Sequence, residues 1–247
     1  MAAIEALERN PSLASKDVDV WRIHLSVPHD VMRLCHNLLS QDEVQRAERF
    51  HFELDRRRFI VARGAMRQIL GRYVNVAPQD LVFSYGAKGK PGVSPEFNEQ
   101  GFQFNLSHSR ELALLAVARG FGVGIDIEFV NHEFAGEEIA ERFFSTKEVG
   151  VLRAIPPSER ANAFFCCWTR KEAYIKALGE GLSVPLNSFD VAFGPGVSAA
   201  LLQARVLPGQ ESRWSMYDMP VGREYTSALV AEGKNHRLRQ WEWKAEF

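Results

Sequence analysis

Residues 18–26 alternate, with Val20, Arg22 and His24 on one side and Trp21, Ile23 and Leu25 on the other, which predicts a strand with one buried face. Ser40 with Glu43 three positions later is a capping-box pair, so a helix is expected from about Gln41. A second helix follows, in which Phe59, Ala62, Met66, Ile69 and Tyr73 recur at intervals of three and four and make one apolar stripe. After the turn-rich stretch 85–92 come three strand-like segments, 102–106, 112–118 and 123–128, joined by short polar or glycine-containing connections. They are predicted to form a small antiparallel sheet. Ser145 and Glu148 repeat the capping box, and 158–178 reads as a helix closed by Gly179, a residue suited to a left-handed helix end. Strand patterns return, more weakly, over 184–193 and 224–230.

Strands and helices do not alternate strictly, so the expected class is α+β rather than a doubly wound parallel sheet. The order strand, helices, strands and then helices, strands suggests two halves of similar build, 1–121 and 122–247, dividing near Gly120 to Gly122. A chain of 247 residues, 46% hydrophobic and 25% charged, can bury one sizeable core or two small ones. A net charge of −1 gives no overall pull toward nucleic acid or anionic lipid. The longest wholly apolar run, 112–118, is far short of the roughly 20 residues that cross a bilayer. Residues 1–15 lack the basic start and apolar stretch of a secretory leader, and a cytoplasmic location is expected. Three cysteines, two of them adjacent in an apolar helical stretch, imply neither a disulfide framework nor a zinc site.

The candidate chemistry lies in three segments. In Gly124-Ile125-Asp126-Ile127-Glu128, strand alternation puts both carboxylates on one face, where mutual repulsion suits a hard cation with oxygen ligands; a solvated strand face is the plainer reading. Glu172 and Lys176 share a helix face, as a surface ion pair would, yet the apolar Phe164, Phe165, Trp168 and Ile175 mark a packed helix whose charged pair faces a cleft. In Asn105-Leu106-Ser107-His108-Ser109 a strand is expected to give way to a polar turn able to grip phosphate oxygens; a turn-capping Ser and an idle His are the alternative. No G-x-S-x-G elbow is present, and Gly89-Lys90-Pro91 lacks the spacing of a P-loop. Arg46, Arg49, Arg56, Arg57, Arg58, Arg63 and Arg67 crowd the first helical region, as a solvated face or as an anion site.

In order, Gly89-Lys90-Pro91, Phe104-Asn105-Leu106-Ser107-His108-Ser109, Gly124-Ile125-Asp126-Ile127-Glu128, Arg142-Phe143-Phe144-Ser145 and Trp168-Thr169-Arg170-Lys171-Glu172-Ala173 resemble the 4′-phosphopantetheinyl transferase family over about 21–186. The length is similar to the surfactin-synthetase-activating type, which carries two halves in one chain and acts as a monomer. The resemblance implies a pseudo-twofold α+β fold with small antiparallel sheets and coenzyme A bound between the halves. It implies transfer of 4′-phosphopantetheine from coenzyme A to a serine of an apo acyl or peptidyl carrier protein, releasing 3′,5′-ADP, the holo-[acyl-carrier-protein] synthase reaction.

By the same resemblance Asp126, Glu128 and Glu172 would ligate magnesium, with manganese as a substitute. Glu172 or a metal-bound water would take the serine proton, and Lys176 would neutralise the transferring phosphate. Ser107 and His108 would hold coenzyme A's phosphates, His108 counting among the catalytic residues, while Lys90, Pro91, Arg46 and Arg58 would serve its adenosine end. A metal-dependent diphosphate hydrolase would use the same acids but leaves the Trp168 and Gly89 blocks unexplained. A noncatalytic coenzyme A or carrier-binding module would be expected to have lost one of the three acids, and all three are present.

Overall fold

The computed structural model describes residues 12–86, 88–133, 136–179, 183–206 and 208–245. Residues 1–11, most of the stretch read for a leader, lie outside the described residues. The strands are β1 Asp17–His24, β2 Phe83–Tyr85, β3 Pro91–Val93, β4 Phe102–Ser109, β5 Leu112–Arg119, β6 Val123–Phe129, β7 Phe189–Val191, β8 Leu201–Ala204, β9 Trp214–Asp218, β10 Tyr225–Glu232 and β11 Arg237–Glu242. The helices are α1 His29–Asn37, α2 Gln41–Glu48, α3 Glu53–Val74, α4 Glu137–Phe143, α5 Thr146–Ala154, α6 Pro157–Leu178 and α7 Gln210–Arg213. The class is α+β.

The chain forms two units. The first comprises 1–84, 91–120 and 237–247, the second 85–90 and 121–236. The C-terminal strand belongs to the first unit, and Lys90 to the second.

In the first unit β1 sits between β5, antiparallel, and β11, parallel, with β4 outside β5. The sheet is therefore mixed rather than purely antiparallel. Trp21, Ile23 and Leu25 of and beside β1 join the core with the α3 stripe of Phe59, Ala62, Met66, Ile69 and Tyr73. Burial is broader than one stripe predicts. α3 also buries Ile60, Val61, Ala65, Arg67, Gln68 and Leu70; β1 buries Val18 and Val20 on its other face, and the charged Asp19 beside Trp21 on the core face. Asp19 is compensated by Arg239 of β11 at 2.6 and 2.8 Å and by the Tyr73 hydroxyl at 2.5 Å. That ties the returning strand to α3 and pushes the Tyr73 phenol above its ordinary pKa through burial and the Asp19 charge.

In the second unit β10 pairs antiparallel with both β6 and β9. The expected sheet of 102–106, 112–118 and 123–128 is thus corrected: β4 and β5 stay in the first unit, while β6 leaves it. Its alternating face is covered by α6, and Ala173, Tyr174 and Ala177 share a core with Ala228 and Val230 of β10. Both capping boxes form, at Ser40–Glu43 and Ser145–Glu148. The segment 184–193 is only partly strand, β7 being preceded by a single turn of 3₁₀-helix.

Candidate active site

The approach of α6 to β6 builds the site. A Cβ on Gly124 would lie 2.8 Å from Ala177 Cα and nearer still to Ala173 O and Ala177 N, so only glycine lets the helix backbone rest on the strand here. Two residues along the same face, Asp126 is 2% exposed, and its Oδ1 accepts a hydrogen bond from Lys176 Nζ at 2.6 Å. Glu172 lies one helical turn before Lys176. Burial pushes its carboxyl above the ordinary value, the Asp126 charge pushes the same way, and the Lys176 ammonium pulls it back. Strand acid, helix acid and helix amine therefore share one electrostatic environment. Glu128 follows on the same face, half-buried and opposite Thr226 of β10.

Among the described residues, no three His, Cys, Asp or Glu side chains converge closely enough to hold a metal unaided. Magnesium rarely needs such a cage: one or two carboxylates with substrate phosphates and water usually complete its shell. The coupled carboxylates of Asp126 and Glu172 fit that donor chemistry.

The Trp168 and Arg142 blocks meet as framework. Trp168 stacks on Phe164 at 5.9 Å and lies edge-on to Phe143 at 5.8 Å, and Phe144 stacks on Phe164 at 5.2 Å. Fully buried Lys171 donates to Glu148 at 2.7 Å, Leu186 O at 2.8 Å and Phe189 O at 2.6 Å. Glu148 also accepts from Ser145 N and Val191 N, both at 2.9 Å. Arg170 binds Asp218 at 2.7 Å and the carbonyls of Ala192 and Val197. These partners turn α6 so that Glu172 and Lys176 meet β6. The one local sign that Lys171 is interior is its three-residue spacing from Trp168, an aromatic packed against the core.

The remaining expected residues fare differently. β4 runs through Ser109 instead of turning at Ser107, and alternation sends the buried Ser107 and exposed His108 to opposite faces. The pair therefore does not line one surface. Arg46 is exposed on α2, its guanidinium 5.5 Å from the Phe59 ring centre. Arg58 is ion-paired with Asp55 and Glu111, which offsets its charge. Arg63 and Arg67 are neither a solvated face nor an anion site: both are buried on Glu43, at 2.5 and 2.6 Å. Pro91 opens β3. The Lys90 ammonium donates to Lys176 O at 2.7 Å, Val123 O at 3.0 Å and Ala177 O at 3.3 Å. An ammonium has three N–H donors, and these three carbonyls can take all of them.

Two family models match adjoining stretches: the 4′-phosphopantetheinyl transferase N-terminal model over residues 27–119 and the 4′-phosphopantetheinyl transferase superfamily model over 122–230. The 4′-phosphopantetheinyl transferase HetI of Nostoc sp. is 37% identical over 234 residues, 95% of each chain. The 4′-phosphopantetheinyl transferase Sfp of Bacillus subtilis is 33% identical over 155 residues, covering 63% of this chain and 66% of Sfp. A holo-[acyl-carrier-protein] synthase structure from Thermotoga maritima gives a TM-score of 0.34 at 23% identity, over 46% of this chain and 64% of that one. With a relative 37% identical over 95% of both chains and two family models matched in order, this chain belongs to the 4′-phosphopantetheinyl transferase superfamily.

Proposed function

We propose that the protein moves the 4′-phosphopantetheine arm of coenzyme A onto a serine of an apo acyl or peptidyl carrier protein, releasing 3′,5′-ADP, with Asp126, Glu172 and Lys176 at the reacting centre. The observation that carries this is the Lys176 ammonium seated on the buried Asp126 carboxylate beside Glu172.

Transfer of a phosphoryl-linked group asks the protein mainly to position and to stabilise charge. Glu172, its carboxyl raised by burial, is a better base than a solvated glutamate and accepts the proton of the carrier serine. Lys176, still 29% exposed at its side chain, offers positive charge to the diphosphate as the leaving oxygen becomes negative. Magnesium, or manganese in its place, would be held by Asp126 and Glu172 with Glu128 as a further carboxylate. When bound it supplies Lewis-acid charge to the diphosphate oxygens. His108 is the exposed contact for coenzyme A's phosphates, and Arg46 for its adenosine end. The enzyme is taken to work in the cytoplasm, as a monomer, without nucleic acid or membrane.

The test is to incubate the protein with coenzyme A and an apo carrier domain, with magnesium or with EDTA, and to weigh the carrier by mass spectrometry. One phosphopantetheine of added mass, present with magnesium and absent with EDTA, is the expected result. No added mass on any of several carriers would overturn the catalytic reading, and transfer in EDTA would overturn the metal assignment.

A further inference from the structure

The Lys90 ammonium joins two backbone segments that the sequence keeps far apart. Lys176 O and Ala177 O belong to the last turn of α6, where four carbonyls lack intrahelical partners; Gly179 N covers a third, Ile175 O. Val123 O is the first carbonyl of β6. One cation thus bonds the end of the helix bearing Glu172 and Lys176 to the start of the strand bearing Asp126. It also sits where the helix dipole favours positive charge. The contacts close a ring: Lys90 holds the Lys176 carbonyl, the Lys176 side chain holds Asp126, and three residues of β6 lead back to Val123.

Gly179 serves the same arrangement. Its φ of 74° ends the helix in the left-handed region, and a Cβ there would press on Lys90 Cδ at 3.3 Å. Burial pushes the Lys90 amine down to about 8, in keeping with a group withdrawn from solvent.

We infer that Lys90 is a positioning residue for the Lys176–Asp126 pair, acting through the backbone of α6 and β6, and not a ligand of coenzyme A's 3′-phosphate. The inference rests on the transferase reading for its kinetic arm alone. Without the ammonium, two helix-end carbonyls and the start of β6 lose their common partner, and the backbone that sets the Lys176 amine against Asp126 is less firmly held.

The experiment compares wild type, Lys90→Met and Lys90→Arg for transfer from coenzyme A and from 3′-dephospho-coenzyme A, alongside amide hydrogen exchange read by mass spectrometry. Misplacement of a reacting group by an ångström typically costs up to about 100-fold, so kcat of Lys90→Met is expected to fall by about 10-fold to 100-fold with both cosubstrates. The ratio of their KM values is expected to stay at the wild-type figure, and exchange to quicken over the end of α6 and the start of β6. Lys90→Arg keeps the charge but presents its donors in a plane, so a smaller kcat loss with the same KM ratio is expected. It also carries the test if Lys90→Met does not fold. Wild-type kcat in these variants, unchanged exchange, or a KM ratio collapsing toward one through loss of affinity for coenzyme A alone would overturn the inference. Should wild type itself transfer nothing, the transferase reading fails, while the exchange arm still decides what Lys90 holds.

Discussion

Replacing Gly124 by alanine probes the closest point of the site's framework. The new Cβ would stand 2.8 Å from Ala177 Cα and nearer to Ala173 O, all backbone atoms with no rotamer to yield, whereas ordinary contact begins near 3.4 Å. Strand and helix must therefore separate by at least 0.6 Å at Ala177 Cα, the difference of those two distances, and by more at Ala173 O. Overpacking of this kind costs about 1–3 kcal/mol; for a chain of this size each 1 kcal/mol lowers Tm by about 2–4 °C. The separation opens two residues from Asp126 and beside Lys176, so a displacement of roughly 1 Å is expected to lower kcat by up to about 100-fold, with a smaller change in KM for coenzyme A. Gly150→Ala is the matched control. Gly150 is exposed on α5 with open space where a Cβ would go, and the change there is expected to be neutral or stabilising by up to about 1 kcal/mol. The assays are thermal melting and steady-state transfer. Gly124→Ala with the Tm and kcat of wild type would refute the claim that the helix rests directly on this strand.

Two further outcomes are expected. Lys171→Met leaves the Glu148 carboxylate buried without its cation and should lower stability by about 3–5 kcal/mol in urea titration; a loss below about 1 kcal/mol would show that Glu148 does not depend on that amine. Arg46→Ala should raise KM for coenzyme A by about tenfold, the worth of one charge-assisted contact, while Arg58→Ala, whose guanidinium already faces Asp55 and Glu111, should leave that KM near wild type; the reverse order would exchange the two assignments.

The parts of the fold legible in the sequence were those set by neighbours along the chain. Ser40–Glu43 and Ser145–Glu148 announce their helices because each capping box is complete within four residues. The α3 stripe and the α6 terminus at Gly179 are likewise local. Pairing across long separations was not legible: β6 alternates as the next strand of the β4–β5 sheet would, and its partnership with β10 depends on residues about 100 positions away. The parallel return of β11 beside β1 spans most of the chain. α1 escaped notice although Val31, Met32 and Cys35 have helical spacing, because its entry at Pro28 carries no side-chain cap.

For the site, alternation placed Asp126 and Glu128 together, and the motif pattern supplied Glu172 and Lys176. Charge type misled. Arg63, Arg67 and Lys90 read as surface or ligand-binding cations, yet Glu43 and backbone carbonyls hold them as internal struts. Only the fold shows that a buried cation has found its partner.

Glu172→Ala examines the reacting centre most directly, because it removes the helix acid and leaves its neighbours in place. Circular dichroism and coenzyme A binding by calorimetry establish that the variant is folded and occupied, and mass spectrometry of the carrier reads transfer. Near-native folding and retained coenzyme A binding, with no phosphopantetheine reaching the carrier, is the expected result. Turnover at the wild-type rate would contradict the placement of Glu172 beside Asp126 and Lys176 as the group on which transfer depends.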